Sequence, residues 1–100
     1  MKKEKIRGAL SLCRRAGRIT LGSYLVAEEI KLGRAALVLL AEDAAANTEK
    51  KVLPVAARAG VRAERIPLTK KELGEVLGRE AGVTCVSVPQ DIVNLVLTSM

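Results

Sequence analysis

The chain has 100 residues, 49% of them hydrophobic, with no apolar run as long as a bilayer is thick, so a single domain over 1–100 with its own core and no membrane segment is expected. It contains no histidine and only two distant cysteines, Cys13 and Cys85, which excludes Ser–His and Cys–His nucleophile arrangements, His-containing zinc sites and four-thiolate sites. The net charge of +6 is local: residues 2 to 18 hold seven of the 17 basic side chains and one of the 11 acidic ones, and the rest of the chain is balanced.

Taken in chain order, residues 4 to 16 read as a helix with Ile6, Ala9, Leu10 and Cys13 on one stripe and Arg7 and Arg14 on another. Gly17 ends it, with Arg14 and Arg15 at its negative pole. Ile19 to Leu21 forms a short strand, and Gly22-Ser23 opens a second helix to about Leu32, capped by Ser23 and closed by Gly33. Leu25 or Val26, with Ile30, faces inward; Tyr24, Glu28 and Lys31 share the other side. Ala36 to Leu40 has the continuous apolar character of a strand buried on both faces. A third helix covers about Thr48 to Ala59, capped by Asn47 or Thr48, bent at Pro54 and stopped at Gly60. Arg65-Ile66 is a short strand. Thr69 and Glu72 make a capping box for a fourth helix whose Leu73, Val76 and Leu77 face inward, ending at Gly78. Val83 to Val88 is a β-branched strand, and Pro89 at a first helical position opens a last helix through about Thr98. The order α-β-α-β-α-β-α-β-α predicts a three-layer α/β/α sandwich around a four-stranded mixed sheet.

Clustered positive charge suits a polyanion, since each neutralised phosphate releases counterions. With Tyr24 as the single aromatic residue, RNA would be held by basic groups, backbone donors and shape rather than by several stacked bases. The best anion site is the start of the second helix at Gly22-Ser23-Tyr24, with Arg14, Arg15 and Arg18 close in sequence. Glu42 and Asp43 end the central strand, but no base, metal cluster or shifted acid can be paired with them, so they read as junction and capping residues. No cofactor and no metal is expected. Cys13 and Cys85 read as buried free thiols in a reducing cytosol, and Lys2 and Lys3 lead into Ile6, Arg7 and Gly8 rather than a signal-like apolar stretch, so the expected location is cytoplasmic.

Four stretches together carry a resemblance: Ala16-Gly17 with Gly22; Ile30 through Asp43; Ala46-Asn47-Thr48-Glu49-Lys50-Lys51; and Lys71-Glu72-Leu73-Gly74 with Gly78. In their order and spacing the chain resembles the ribosomal L-seven-Ae/L-thirty-e superfamily of kink-turn RNA-binding proteins, in its bacterial YlxQ-type branch, over nearly its whole length. The resemblance implies the same sandwich, with RNA held by the start of the second helix and by the loop before the last strand. The family's Gly-x-Asn-Glu-x-x-Lys pattern falls on Gly22, Tyr24, Leu25 and Glu28. Only the glycine is kept. Tyr24 replaces a short amide, Leu25 a carboxylate, and Glu28 stands where a cation meets phosphate. The loop corresponds to Arg79-Glu80-Ala81, followed by Gly82, and of the family's apolar contacts only Ala81 is retained.

The expected function is non-catalytic binding of structured RNA, kink-turn-like or ribosomal, by a monomer, with the ribosome as a candidate partner. Its contact surface combines Gly22, Ser23, Tyr24, Leu25, Glu28 and Arg79–Gly82 with Arg14, Arg15 and Arg18. The rival is a protein–protein adaptor on the same fold, favoured by the altered signature at Tyr24, Leu25 and Glu28. An enzyme comes third, since no nucleophile–base pair or metal constellation can be assembled.

Overall fold

Two four-residue runs, Leu37–Leu40 and Cys85–Val88, are buried along their whole length, and the fold is arranged around them. A strand buried at every position needs cover on both faces, which here is helical. In the computed structural model, which describes residues 2–100, the elements are α1 (Lys3–Arg15), β1 (Thr20–Leu21), α2 (Ser23–Lys31), β2 (Leu37–Leu40), α3 (Ala46–Ala59), β3 (Arg62–Arg65), α4 (Lys70–Leu77), β4 (Cys85–Val88) and α5 (Val93–Leu97). Helix α2 packs on α3 against one face of the sheet, and α1 packs with α4 and α5 against the other. This is the expected three-layer α/β/α sandwich.

The sheet order is β1-β4-β2-β3. Strand β4 runs antiparallel to both β1 and β2, while β2 and β3 are parallel, so the sheet is mixed. Leu37, Leu39 and Val86 are fully buried at its centre, and full burial of one such side chain contributes roughly 1.5–3 kcal/mol. Ile6, Leu10 and Cys13 of α1, Val26 and Ile30 of α2, Val52 of α3 and Leu73 of α4 complete one continuous core. Cys13 and Cys85 are buried and free, as expected, and burial pushes the Cys85 thiol up to about 11.

Several boundaries differ from the sequence reading. Ser23 is the first helical residue of α2 rather than its cap; the cap is Gly22, at φ 89°, a conformation that a side chain would strain. Neither Asn47 nor Thr48 caps α3, which begins at Ala46 after an Ala45 that has no side chain able to cap; the helix then runs on through Pro54. Strand β3 lies at Arg62–Arg65 rather than Arg65-Ile66, because Leu37–Leu40 pairs residue for residue with it and Ile66 only continues the ladder through its amide to the Leu40 carbonyl (3.0 Å). Helix α5 starts at Val93, not at Pro89, since residues 89–92 form a turn closed from the Ile92 amide to the Pro89 carbonyl. In α4 the third inward residue is Gly74, and Val76 is only half-buried.

The capping box is present in full. The Glu72 amide donates to Thr69 Oγ1 (3.1 Å), and the Thr69 amide donates to Glu72 Oε1 (3.0 Å). The other Glu72 oxygen meets Lys3 Nζ at 2.8 Å, which ties the start of α1 to the start of α4. Lys3 first, and the Thr69 amide second, hold the Glu72 carboxyl at about 2, below its ordinary 4.5. A carboxyl depressed in the fold stabilises above its unfolded value and loses that contribution as pH falls through the folded one. Thermal stability should therefore decline as pH drops from 4.5 toward about 2, and this part of the decline should vanish in Glu72→Gln. Thr69→Ala should cost about 1 kcal/mol at neutral pH in urea unfolding, the typical loss of an N-cap side chain.

Candidate nucleic-acid interface

One end of the sheet gathers the segments that the sequence singled out. The Gly22 amide donates to the Cys85 carbonyl (2.9 Å) and so extends the β1–β4 ladder by one bond, which sets the start of α2 beside the start of β4. The Ala41 amide donates to the Thr84 carbonyl (2.9 Å), which brings the end of β2 to the same place. Gly22 has no side chain with which to cap α2, so the first amides of that helix are open to an acceptor from outside.

The Arg79–Gly82 loop is held against α4 by backbone contacts. The Arg79 amide donates to the Gly74 carbonyl (2.7 Å), the Gly82 amide to the Arg79 carbonyl (3.0 Å), and the Val83 amide to the Lys70 carbonyl (3.0 Å). A Cβ built on Gly74 would stand 2.3 Å from the Arg79 carbonyl oxygen and 2.8 Å from the Gly82 Cα. Only glycine lets the loop lie this close.

Two grooves meet at Arg79. The smaller, of about 280 Å³, is lined by Leu21, Gly22, Arg79, Ala81, Gly82, Val83 and Thr84, and joins the start of α2 to the loop. The larger, of about 770 Å³, carries Arg14, Leu25, Glu28, Arg79 and Leu32 among its walls. Arg14 lies across Gly78, where a Cβ would come within 2.6 Å of its Nη2. Its guanidinium thus rests on the carbonyl end of α4, where a cation is favoured.

The structure therefore brings together Gly22, Leu25, Glu28, Arg14, Arg79, Ala81 and Gly82. Ser23 is half-buried in the first turn of α2, whereas Arg15 and Glu80 are exposed and line neither groove. Arg18 points elsewhere: it pairs with Asp91 at 3.1 Å and lines a separate cleft with Arg34 and Ser87. Leu25, expected as a possible inward residue of α2, is 54% exposed, and Val26, Ala27 and Ile30 fill the core side instead. Glu28 stands 3.9 Å from Lys31 one turn on, a contact too long and too exposed to neutralise it firmly.

Asp43 takes part in the fold through its carboxylate and Glu42 through its backbone. Asp43 Oδ1 accepts from the Lys70 amide (2.8 Å) and caps α4 from outside. The Glu42 amide donates to the Leu68 carbonyl (2.8 Å), and Arg65 donates to the Ala41 and Glu42 carbonyls while gripping Glu49 Oε1 at 2.6 Å. Among the described residues, no three His, Cys, Asp or Glu side chains converge as metal ligands.

Sequence reasoning missed two groups here. Leu32, 59% exposed, shares the larger groove with Leu25; a spacing of i and i+7 on one helix was the available signal. Lys51 sits with its Nζ 5.5 Å from the centre of the Tyr24 ring, a contact between α2 and α3 that no local pattern announces.

The sequence profile of the Ribosomal protein L7Ae/L30e/S12e/Gadd45 family matches residues 4–94. The chain belongs to this family. The L7Ae-type match takes in α1 through the start of α5, and so includes both grooves. Among curated relatives, the RNA-binding protein YlxQ of Bacillus subtilis (strain 168) is 42% identical over 73 residues, covering 73% of this chain and 68% of that protein. A Bacillus halodurans C protein of unknown function superposes with a TM-score of 0.78 over 95% of this chain and 98% of its own, at 21% identity. The Giardia lamblia 15.5kD RNA binding protein superposes with a TM-score of 0.77 over 99% of this chain and 87% of its own, at 20% identity. At these identities the two superpositions bear on the L7Ae-type fold alone.

Proposed function

We propose that the chain binds structured RNA of kink-turn or ribosomal type, without chemistry of its own, through the start of α2 and the Arg79–Gly82 loop. The observation that carries this reading is the convergence of Gly22 and the loop on one groove that continues, through Arg79, to Arg14. Open helix amides and two guanidinium groups along one track suit a phosphate backbone. Family membership and the YlxQ relative support the same reading. The two free thiols fit a reducing compartment such as the cytoplasm.

The departures at Tyr24, Leu25 and Glu28 bear on which RNA is taken. Glu28 puts a carboxylate on the wall shared with Arg14 and Arg79, where it repels phosphate and weakens the two cations. Titration with a kink-turn RNA and an unkinked duplex at two salt concentrations tests the reading. The kink-turn should bind more tightly and keep its advantage at the higher salt; equal binding to both, abolished by salt, overturns kink-turn recognition. Glu28→Lys should tighten kink-turn binding, since a charge-assisted contact is worth roughly 1.5–3 kcal/mol. Unchanged affinity would place the RNA elsewhere. An adaptor role is the second reading, favoured by the exposed leucines Leu25 and Leu32 in the larger groove, and no RNA binding at low salt would select it.

A further inference from the structure

Tyr24 is the only aromatic residue in the chain, and it is not part of the core: 64% of it is exposed. It stands in the first turn of α2, between Ser23 and the groove-lining Leu25. The Lys51 ammonium lies 5.5 Å from its ring centre, inside the range of a cation–π contact. Lys51 belongs to α3, the helix packed most extensively on α2, so the two side chains come from elements whose mutual position is fixed. The ammonium stands over one face of the ring, and most of the residue remains open to solvent. A tyrosine ring, set by two side-chain torsions, loses little freedom when something stacks on it.

We propose that Tyr24 and Lys51 form a stacking platform for one unpaired base of the bound RNA, with Lys51 meeting the adjoining phosphate. The proposal rests on the RNA-binding reading and sharpens it: the RNA must present a looped-out nucleotide beside the start of α2. The residue that displaces the family's short amide at this position is then a replacement contact, and the footprint extends onto α3. A stacked base is sequence-tolerant, because every base has a π-face, so the platform selects for an unpaired nucleotide rather than for its identity. Charge complementarity favours RNA as the occupant, since Lys51 stands at Tyr24 itself and Arg79 shares one groove with Gly22 and the other with Leu25 and Arg14.

Because the chain has no tryptophan or phenylalanine, its intrinsic emission comes from Tyr24 alone. Kink-turn RNA should therefore quench the emission of the unmodified protein as it binds. In mobility-shift titrations Tyr24→Phe should keep its affinity, and Tyr24→Leu should lose about 5–150-fold with no change in salt slope. Lys51→Ala should reduce that slope by about 1. Making the unpaired nucleotides abasic one at a time should identify one whose loss matches that of Tyr24→Leu, and combining the two changes should add nothing further. Tight binding with unquenched emission and an unaffected Tyr24→Leu protein overturns the platform alone. Failure of the unmodified chain to bind the RNA at low salt overturns the RNA reading and the platform with it.

Discussion

Gly74→Ala should destabilise the fold by about 1–3 kcal/mol, whereas Gly8→Ala should stabilise it by about 0.5–1 kcal/mol. Both glycines lie inside helices, Gly8 in α1 and Gly74 in α4, so helix propensity favours alanine at each by the same amount. Their surroundings decide the sign. Nothing lies within 4 Å of a Cβ built on Gly8. A Cβ on Gly74 meets the Arg79 carbonyl oxygen at 2.3 Å, the Gly82 Cα at 2.8 Å and the Gly82 nitrogen at 3.2 Å. All three are backbone atoms, and the loop can retreat only by giving up the 2.7 Å bond from the Arg79 amide to the Gly74 carbonyl. In a domain of this size each kcal/mol moves the melting temperature by roughly 4–8 °C, so the two variants should separate clearly in a thermal scan followed by circular dichroism. The shifted loop should also weaken RNA binding in Gly74→Ala. Equal stability of the two variants would mean that the loop does not lie against α4.

The largest effect on binding is expected from Arg14→Glu combined with Arg79→Glu. Arg79 borders both grooves and Arg14 the larger, and among the described residues neither forms an ion pair. Two charge-assisted contacts at roughly 1.5–3 kcal/mol each correspond to a loss of about two orders of magnitude or more in affinity. The salt slope should fall as well, since fewer counterions are released. The fold should suffer little: both side chains are exposed, and a carboxylate at position 14 meets the negative end of α4 at a cost of about 0.3–1 kcal/mol. Arg58→Glu with Arg62→Glu makes the same change in net charge on α3 and on the far edge of the sheet. That control should retain most of the affinity. Comparable losses in the two double variants would mean that only the overall field matters, and would remove the grooves from the binding surface.

The legible parts of this fold were those in which local chemistry and tertiary packing agree. Ala36 to Leu40 is apolar at every position, and a strand covered on both faces requires that. The Thr69–Glu72 box is visible because its two hydrogen bonds join residues three apart. Strand β3 was misplaced because Arg62-Ala63-Glu64-Arg65 has no apolar run; it is a strand because β2 offers it a ladder, not because of its side chains. The cap of α2 went to Ser23 by side-chain preference, yet the backbone there requires a positive φ, which favours Gly22. At the candidate site, Gly22 was legible as a helix start with free backbone donors, and the Arg79–Gly82 loop through the family resemblance. The approach of Lys51 to Tyr24 and the turning of Arg18 toward Asp91 were not, because each depends on how two distant elements meet.

The borders of the sheet bear on how this protein keeps company with other molecules. One border is β1, two residues long; the other is β3, where three of four residues are charged. Short or charged borders discourage the addition of a foreign strand. A neighbouring protein, or a second copy at high concentration, is thus turned away from the backbone of the sheet and must approach through helices and loops. The hydrophobic strands that stabilise the interior stay out of reach of aggregation while the end of the sheet carrying the grooves remains open.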